Sequence, residues 1–407
     1  MNKEHDQFMT ANRSQKEEHT LAESIDILFL RFLVGKNKIA NEESYNDGLS
    51  ESELDEQCTP GAADGWNKRI LLDVEKQRVK RVEADKAIKE KRNAVLMHLF
   101  QKTLLTAIQN RLSHHDEVIT HQLQLRESTL ELLKKLLSSE PRYSILASLL
   151  ELNISTRNHL ISLVCSSDFM ESLGRDARNV RDIQAAIGLI GIDVLRYLIP
   201  AIIFKYTISN NGLHNVLFTK KLWRYELTLG QACTALMKES DYRRPHEGML
   251  LSAMVNFAYV AAYKQYQISF ETVRVACLDQ ARDKGEKEQH DFFFDLQTDP
   301  ATLQQLLVSQ AKLALSLSLS ETLFSKDFPH LVNALREQVE CVEFTEMSSV
   351  GKILFKALRF AKYDQLRTVR LFKAEWLDDY LQASHISSDT YKNLVRQELF
   401  RFKTNWS

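Results

Sequence analysis

Long apolar segments with helical spacing follow one another through the middle of this 407-residue chain, with few turn-forming residues between them. The chain contains only 12 glycines and 6 prolines, well below the usual shares of about 7% and 5%. The segment from Met249 to Tyr263, MLLSAMVNFAYVAAY, is apolar on nearly every helical face except at Ser252 and Asn256, which is typical of a buried helix. The one strand-like segment, TVRLF, has no pairing partner. We therefore predict an all-α, multi-helical bundle with additional charged N-terminal helices and C-terminal helices.

Charge, cysteine usage and hydropathy indicate the class of protein. The formal net charge is −1, so the chain as a whole does not attract phosphate backbones. Five scattered cysteines without a C-x-x-C pair are typical of reduced, buried thiols. The most apolar run, VLRYLIPAIIF, is interrupted by Arg196 and Pro200 and is shorter than the about 20 residues of a spanning helix. The start of the chain has no apolar leader core. We predict a cytoplasmic protein with no membrane segment.

Shifts in composition divide the chain into four parts. Residues 1–65 are predicted to contain one helix and a flexible acidic linker, because a helical pattern ending at Gly35 precedes the segment NEESYNDGLSESELDEQ. Residues 66–138 read as a charged helical segment. Pro141 lies at the next boundary, after which residues 139–345 form the main helical domain and residues 346–407 a C-terminal helical extension.

A known family resembles the middle of the chain. The segments AIGLIGIDVLRYL, LWRYELTLGQACTAL and GMLLSAMVNFAYVAAY follow one another in the order and pattern of the HDOD domain. This domain is a helical signalling module related to the HD-type metal-dependent phosphohydrolases. The resemblance covers roughly residues 125–345. It implies an HDOD/HD-like helical bundle for 139–345 and a regulatory role, because HDOD domains in general are viewed as regulatory.

The resemblance also indicates where a metal site would lie and what replaces it. Asn256 and Phe257 fall where the active phosphohydrolases keep their His-Asp pair, and Tyr225 stands where the family often has a histidine. Gln310 lies near a later family histidine. Phenylalanine has no ligand atom and asparagine offers a neutral oxygen, so we predict a vestigial pocket formed by Trp223, Tyr225, Asn256, Phe257 and Gln310. We predict no catalytic residues, no metal ligands and no cofactor.

Two alternatives remain open. The first is a metal-dependent HD-type phosphohydrolase with relocated ligands, drawn from residues such as His159, His214 and His246. The second is a nucleic-acid-binding regulator that uses the basic 68–92 helix. No aromatic residues interleave the basic ones, however, and the pattern is that of the solvated face of a long helix. Such a regulator would use Lys76, Arg78, Lys80, Arg81, Lys89, Lys91 and Arg92.

The sequence as a whole predicts a non-catalytic, HDOD-like signalling or regulatory protein. It would act through contacts with a protein partner, with a small-molecule ligand as a further possibility and nucleic acid disfavoured.

Overall fold

Every regular element in the described part of the chain is helical, which confirms the predicted all-α class. The computed structural model describes residues 21–35, 73–209, 216–307, 309–397 and 399. A π-helical turn, Val118–Gln122, and a 3₁₀ turn, Ala374–Trp376, accompany the α-helices. In chain order the α-helices are α1 (residues 21–34), α2 (Asp73–Leu112), α3 (His115–Glu117), α4 (Glu127–Leu137), α5 (Tyr143–Leu152), α6 (Ile154–Cys165), α7 (Ser167–Ser172), α8 (Ile183–Ile190), α9 (Ile192–Ser209), α10 (Val216–Glu239), α11 (Glu247–Asp283), α12 (Lys287–Phe294), α13 (Pro300–Leu306), α14 (Ser309–Phe324), α15 (Pro329–Val339), α16 (Ser349–Thr368), α17 (Leu377–Ala383) and α18 (Ser388–Arg396).

The larger of two compact units contains the main core. Its described residues are 21–35, 105–271 and 298–399, apart from the gaps given above. All residues from Met249 to Tyr263 are buried, as their apolar pattern predicts, so the first part of α11 forms the centre of this core. Helix α16 packs along α10, where Gln365 donates a hydrogen bond to Thr228 (3.4 Å) and Arg224 donates one to Thr368 (2.9 Å).

The smaller unit consists of described residues 73–104 and 272–297. Within it, the guanidinium of Arg92 pairs with the carboxylate of Glu288. The rings of Phe100 and Phe293 lie 6.1 Å apart between centroids. Phe293 is buried whereas Phe294 is exposed, so of these two adjacent rings Phe293 packs into this unit.

Capping residues set several helix starts. The Asp182 side chain accepts a hydrogen bond from the amide of Ala185 (3.1 Å) at the start of α8, and Ser348 does the same for Gly351 (3.0 Å) at the start of α16. Helix α13 begins at Pro300, as its sequence predicts.

A sharp bend at Gly191 separates α8 from α9. Gly191 has φ +85°, a conformation that residues with a Cβ rarely adopt, and the chain bends by 112° between the two helices. Gly191 therefore ends α8. In the described residues no single helix has the length and apolarity to cross a membrane, while the bent α8–α9 pair passes that test by length and composition.

Some predictions fall outside the described residues. These are the acidic linker after residue 35, His214 and the end of the C-terminal helical extension beyond residue 399. The four-part division of the chain stays a prediction.

Candidate functional site

A buried polar contact joins α10 and α11 at the position of the predicted vestigial pocket. The side-chain amide of Asn256 donates a 2.7 Å hydrogen bond to Oε2 of Glu226, and the hydroxyl of Ser252 donates a 2.8 Å bond to the same oxygen. Ser252 and Asn256 lie four residues apart and therefore share one face of α11. All three side chains are fully buried. The two polar residues of the apolar segment Met249–Tyr263 thus both donate hydrogen bonds to one carboxyl group on the facing helix.

Burial controls the charge of this carboxyl group. Desolvation raises the pKa of Glu226 to about 8, although the hydrogen bonds from Asn256 and Ser252 act in the opposite direction. Glu226 is accordingly neutral near pH 7. Oε1 of Glu226 and Oδ1 of Asn256 have no hydrogen-bond partner among the described residues. The site is a neutral polar cluster inside an apolar core.

Tyr225, the residue next to Glu226, is covered by the N-terminal helix α1. Its ring lies 4.6 Å from that of Phe29 and 6.2 Å from that of Tyr259, measured between centroids. The side chain is fully buried, and its hydroxyl has no hydrogen-bond partner in the described part of the chain. Burial raises the pKa of Tyr225 well above its ordinary value. The position where the family often has histidine is therefore enclosed by aromatic rings.

Two lysines hold α1 in place. Nζ of Lys362 on α16 lies 2.5 Å from the carboxylate of Asp26. Nζ of Lys221 on α10 donates hydrogen bonds to the carbonyl oxygens of Phe32 (2.6 Å) and Gly35 (2.8 Å). The second lysine satisfies carbonyl groups at the C-terminal end of α1, where a cation also complements the helix dipole.

A third lysine lies beneath α1. Lys312 on α14 is buried and donates a 2.6 Å hydrogen bond to the hydroxyl of Tyr259. Burial lowers the pKa of Lys312 to about 7. Burial by itself would raise the pKa of Asp26, but the charges of Lys362 and Lys312 outweigh it, so the pKa of this carboxylate lies below its ordinary value.

The residues of the predicted pocket have different neighbours. Trp223 is half-buried and packs against a small cluster that contains Leu227 and Met249. Phe257 is buried, with its ring 6.0 Å from that of Phe204. Gln310 lies on α14, and its side chain falls outside the described residues. Asn256 and Tyr225 thus lie in the buried region between α10 and α11, whereas Trp223 packs elsewhere because residues two apart on α10 point to different sides.

The donor set at this position does not fit a divalent metal ion. Such an ion requires several deprotonated or strongly donating ligands, and the amide of Asn256 already faces Glu226 while Phe257 has no donor atom. Across the described residues, no three His, Cys, Asp or Glu side chains lie close enough together to form a metal site. Of the histidines considered for relocated ligands, His159 contacts the hydroxyl of Tyr206 (3.2 Å) and His246 lies edge-on to the ring of Tyr197.

Sequence reasoning missed Glu226, Phe29 and the lysines that hold α1. The signal for Glu226 was present: two polar residues four apart on a buried helix require a polar partner on the facing helix, and Glu226 is an acid between apolar positions of α10. The contacts of α1 had no comparable signal, because its partners lie far away in the sequence.

Comparison with known proteins gives one match. The family model of the HDOD domain matches residues 123–304. The matched range overlaps the predicted 139–345 segment without sharing its ends. The chain matches no curated protein and no solved structure. Residues 123–304 of this chain therefore form an HDOD domain.

Proposed function

We propose that this protein is a non-catalytic, cytoplasmic signalling or regulatory protein that acts through contacts with a protein partner. One observation carries the proposal: the position of the catalytic His-Asp pair is filled by an amide–carboxyl contact between Asn256 and Glu226, and both residues are fully buried. A neutral, enclosed cluster has no means of activating water for hydrolysis. The domain is then left to act by differential binding, in which a partner prefers one arrangement of its helices.

Exposed apolar side chains on α2 support a role in protein contacts. Ile88, Val95 and Leu99 are 66%, 61% and 54% exposed. Their spacing of seven and four residues places them on one face of this helix. Apolar side chains grouped on a solvated face are typical of a surface that another protein covers. The flanking charges on α2 would then fix the register of the partner.

The test is an assay of the purified full-length protein with manganese and with cyclic dinucleotides or nucleotides as substrates. We expect no metal-dependent turnover, and the same result for the variant Asn256→Ala. Manganese-stimulated hydrolysis that is lost in Asn256→Ala would overturn the proposal.

The two alternatives make different predictions. A phosphohydrolase with relocated ligands would purify with a stoichiometric transition metal, which elemental analysis detects. A nucleic-acid regulator would bind DNA or RNA with an affinity that falls steeply with salt. No contact among the described residues favours either alternative over the proposed function.

A further inference from the structure

An open cavity of about 620 Å³ lies at the start of α6. Its walls come from the π-helical turn, the start of α4, the junction of α5 and α6, and the last part of α9. None of the residues of the buried cluster around Glu226 lines it. Its volume is in the range of about 300–1,000 Å³ that is usual for small-molecule sites.

The start of α6 presents unpaired backbone amides to this cavity. Asn153 occupies the N-cap position, but its side chain donates to the carbonyl of Leu149 (2.7 Å) and accepts a hydrogen bond from Thr129 (2.6 Å). It therefore makes no capping bond. The amides of Ser155 and Thr156 make no hydrogen bond in the described part of the chain. Unpaired amides at a helix start, together with the helix dipole, attract anions.

The side chain of Thr156 points to a ligand independently of the helix end. Thr156 is 5% exposed, lines the cavity, and its side chain makes no hydrogen bond with any described residue. Side chains this deeply buried normally have a hydrogen-bond partner, so the hydroxyl is available to a ligand that enters the cavity.

The charge of the cavity favours an anion. Arg126 lines it, is exposed, and forms no ion pair with a described residue. No aspartate or glutamate is part of the lining. A guanidinium beside a helix start is a typical arrangement for phosphate recognition.

The rim of the cavity is apolar. Leu152 and Ile154 both line it, and they are 63% and 65% exposed, which is unusual for large aliphatic side chains that flank a polar site. Tyr206 adds an aromatic ring to the lining. These side chains would cover the organic part of a ligand whose anionic group lies against α6.

We propose that this cavity binds a small phosphate monoester. The phosphate accepts hydrogen bonds from the amides of Ser155 and Thr156, from the Thr156 hydroxyl and from Arg126, while the organic group packs against Leu152 and Ile154. This site is separate from the position of Asn256 and Phe257, and the proposal stands independently of the proposed function.

The experiment is isothermal titration calorimetry on the full-length protein with adenosine 5′-monophosphate, and with adenosine and inorganic phosphate as comparison probes. We expect the monophosphate to bind more tightly than either comparison probe. Arg126→Gln and Thr156→Val should each weaken its binding, Arg126→Gln by about tenfold, because a charge-assisted hydrogen bond is lost. Arg181→Gln, which changes an exposed arginine outside the cavity, should leave the affinity unchanged.

Three results would overturn the proposal: no binding of the monophosphate, equal affinity for adenosine, or binding that neither Arg126→Gln nor Thr156→Val weakens. Because the readout is binding and not turnover, these results are distinguishable from a failure of the proposed function. Far-ultraviolet circular dichroism of each variant confirms that the helices are retained.

Discussion

The side-chain amide of Asn256 lies 2.7 Å from the carboxyl oxygen of Glu226, and neither residue is accessible to solvent. Ser252 and Asn256 on α11 both donate hydrogen bonds to this carboxyl group, and burial keeps it in its neutral acid form near pH 7. The predictions that follow test this contact and the packing around it.

The first prediction concerns pH. Burial raises the pKa of Glu226 from 4.5 to about 8, so between these values the folded state binds more protons than the unfolded state. The free energy of unfolding should therefore fall as the pH rises through this window. Glu226→Gln stays neutral and can still accept both hydrogen bonds. The melting temperature of this variant minus that of the wild type should therefore increase as the pH rises from 5 to 8. Glu171→Gln, at an exposed position, is the control. A difference in melting temperature between Glu226→Gln and the wild type that does not change with pH would contradict the raised pKa.

The second prediction concerns the amide of Asn256. Asn256→Leu removes the donor and leaves the buried carboxyl group with one fewer partner, which should lower the free energy of unfolding by about 2–4 kcal/mol. The double variant Glu226→Leu/Asn256→Leu should cost less than the two single losses added together, because it leaves no buried group unpaired. Urea denaturation measures all three. Additive losses would show that the two side chains do not interact.

The third prediction concerns the docking of α1. Asp26→Asn removes the negative charge beside Lys362 and Lys312, and these lysines are then buried without a counter-charge. We expect amide hydrogen exchange in residues 21–34 to accelerate by about tenfold or more. Glu23→Gln changes an exposed acid on the same helix and should leave the exchange rate unchanged. Similar acceleration in both variants would contradict a specific role for the ion pair.

The ion pair of Asp26 with Lys362 also predicts how the stability of α1 changes with pH. The pKa of Asp26 is lowered in the folded state, so its contribution to stability is present above its ordinary value of 3.8 and is lost as the pH falls through the lowered value. Exchange in α1 should accordingly increase on acidification below about pH 4, more strongly in the wild type than in Asp26→Asn.

The fourth prediction concerns the close approach of α10 and α11. A Cβ at Gly248 would lie 2.6 Å from the backbone nitrogen of Thr234, which cannot move as a side chain can. Gly248→Ala should therefore destabilise the protein by about 1–3 kcal/mol in thermal unfolding. Gly188→Ala is the matched control, because a Cβ there meets its nearest atom at 3.7 Å. It should be neutral or stabilising, since alanine favours the helix by up to about 1 kcal/mol. Equal losses in both variants would contradict a specific clash at Gly248.

Local patterns in the sequence were sufficient for the helices but not for the site. The spacing of apolar residues predicted α1 and the buried first part of α11, and the order of the segments predicted the HDOD domain. Those features depend on neighbours within a few residues along the chain. The pairing of Glu226 with Asn256 depends on how two helices face each other, which periodicity does not specify.

Long-range packing explains the rest of what was missed. Phe29 covers Tyr225 across a separation of nearly half the chain, and Lys362 reaches Asp26 from the other end of the sequence. Neither pair can be recognised from the residues nearby in the sequence. Aromatic residues on amphipathic helices and lysines in charged helical segments are common, and most of them do not make such contacts. Trp223 packs against the cluster that contains Leu227 and Met249, and the vestigial pocket as a whole stays a prediction.

The position of α1 has a practical consequence for the choice of a fragment to express. A fragment limited to the matched residues 123–304 would lack Phe29, Lys312 and Lys362, so Tyr225 would lose its covering ring and Tyr259 its hydrogen-bond donor. The boundaries that sequence comparison gives therefore leave out side chains that pack against the HDOD domain. Expressed fragments should keep the first helix and the segment through α16, and poor solubility of a shorter piece would say nothing about the intact protein.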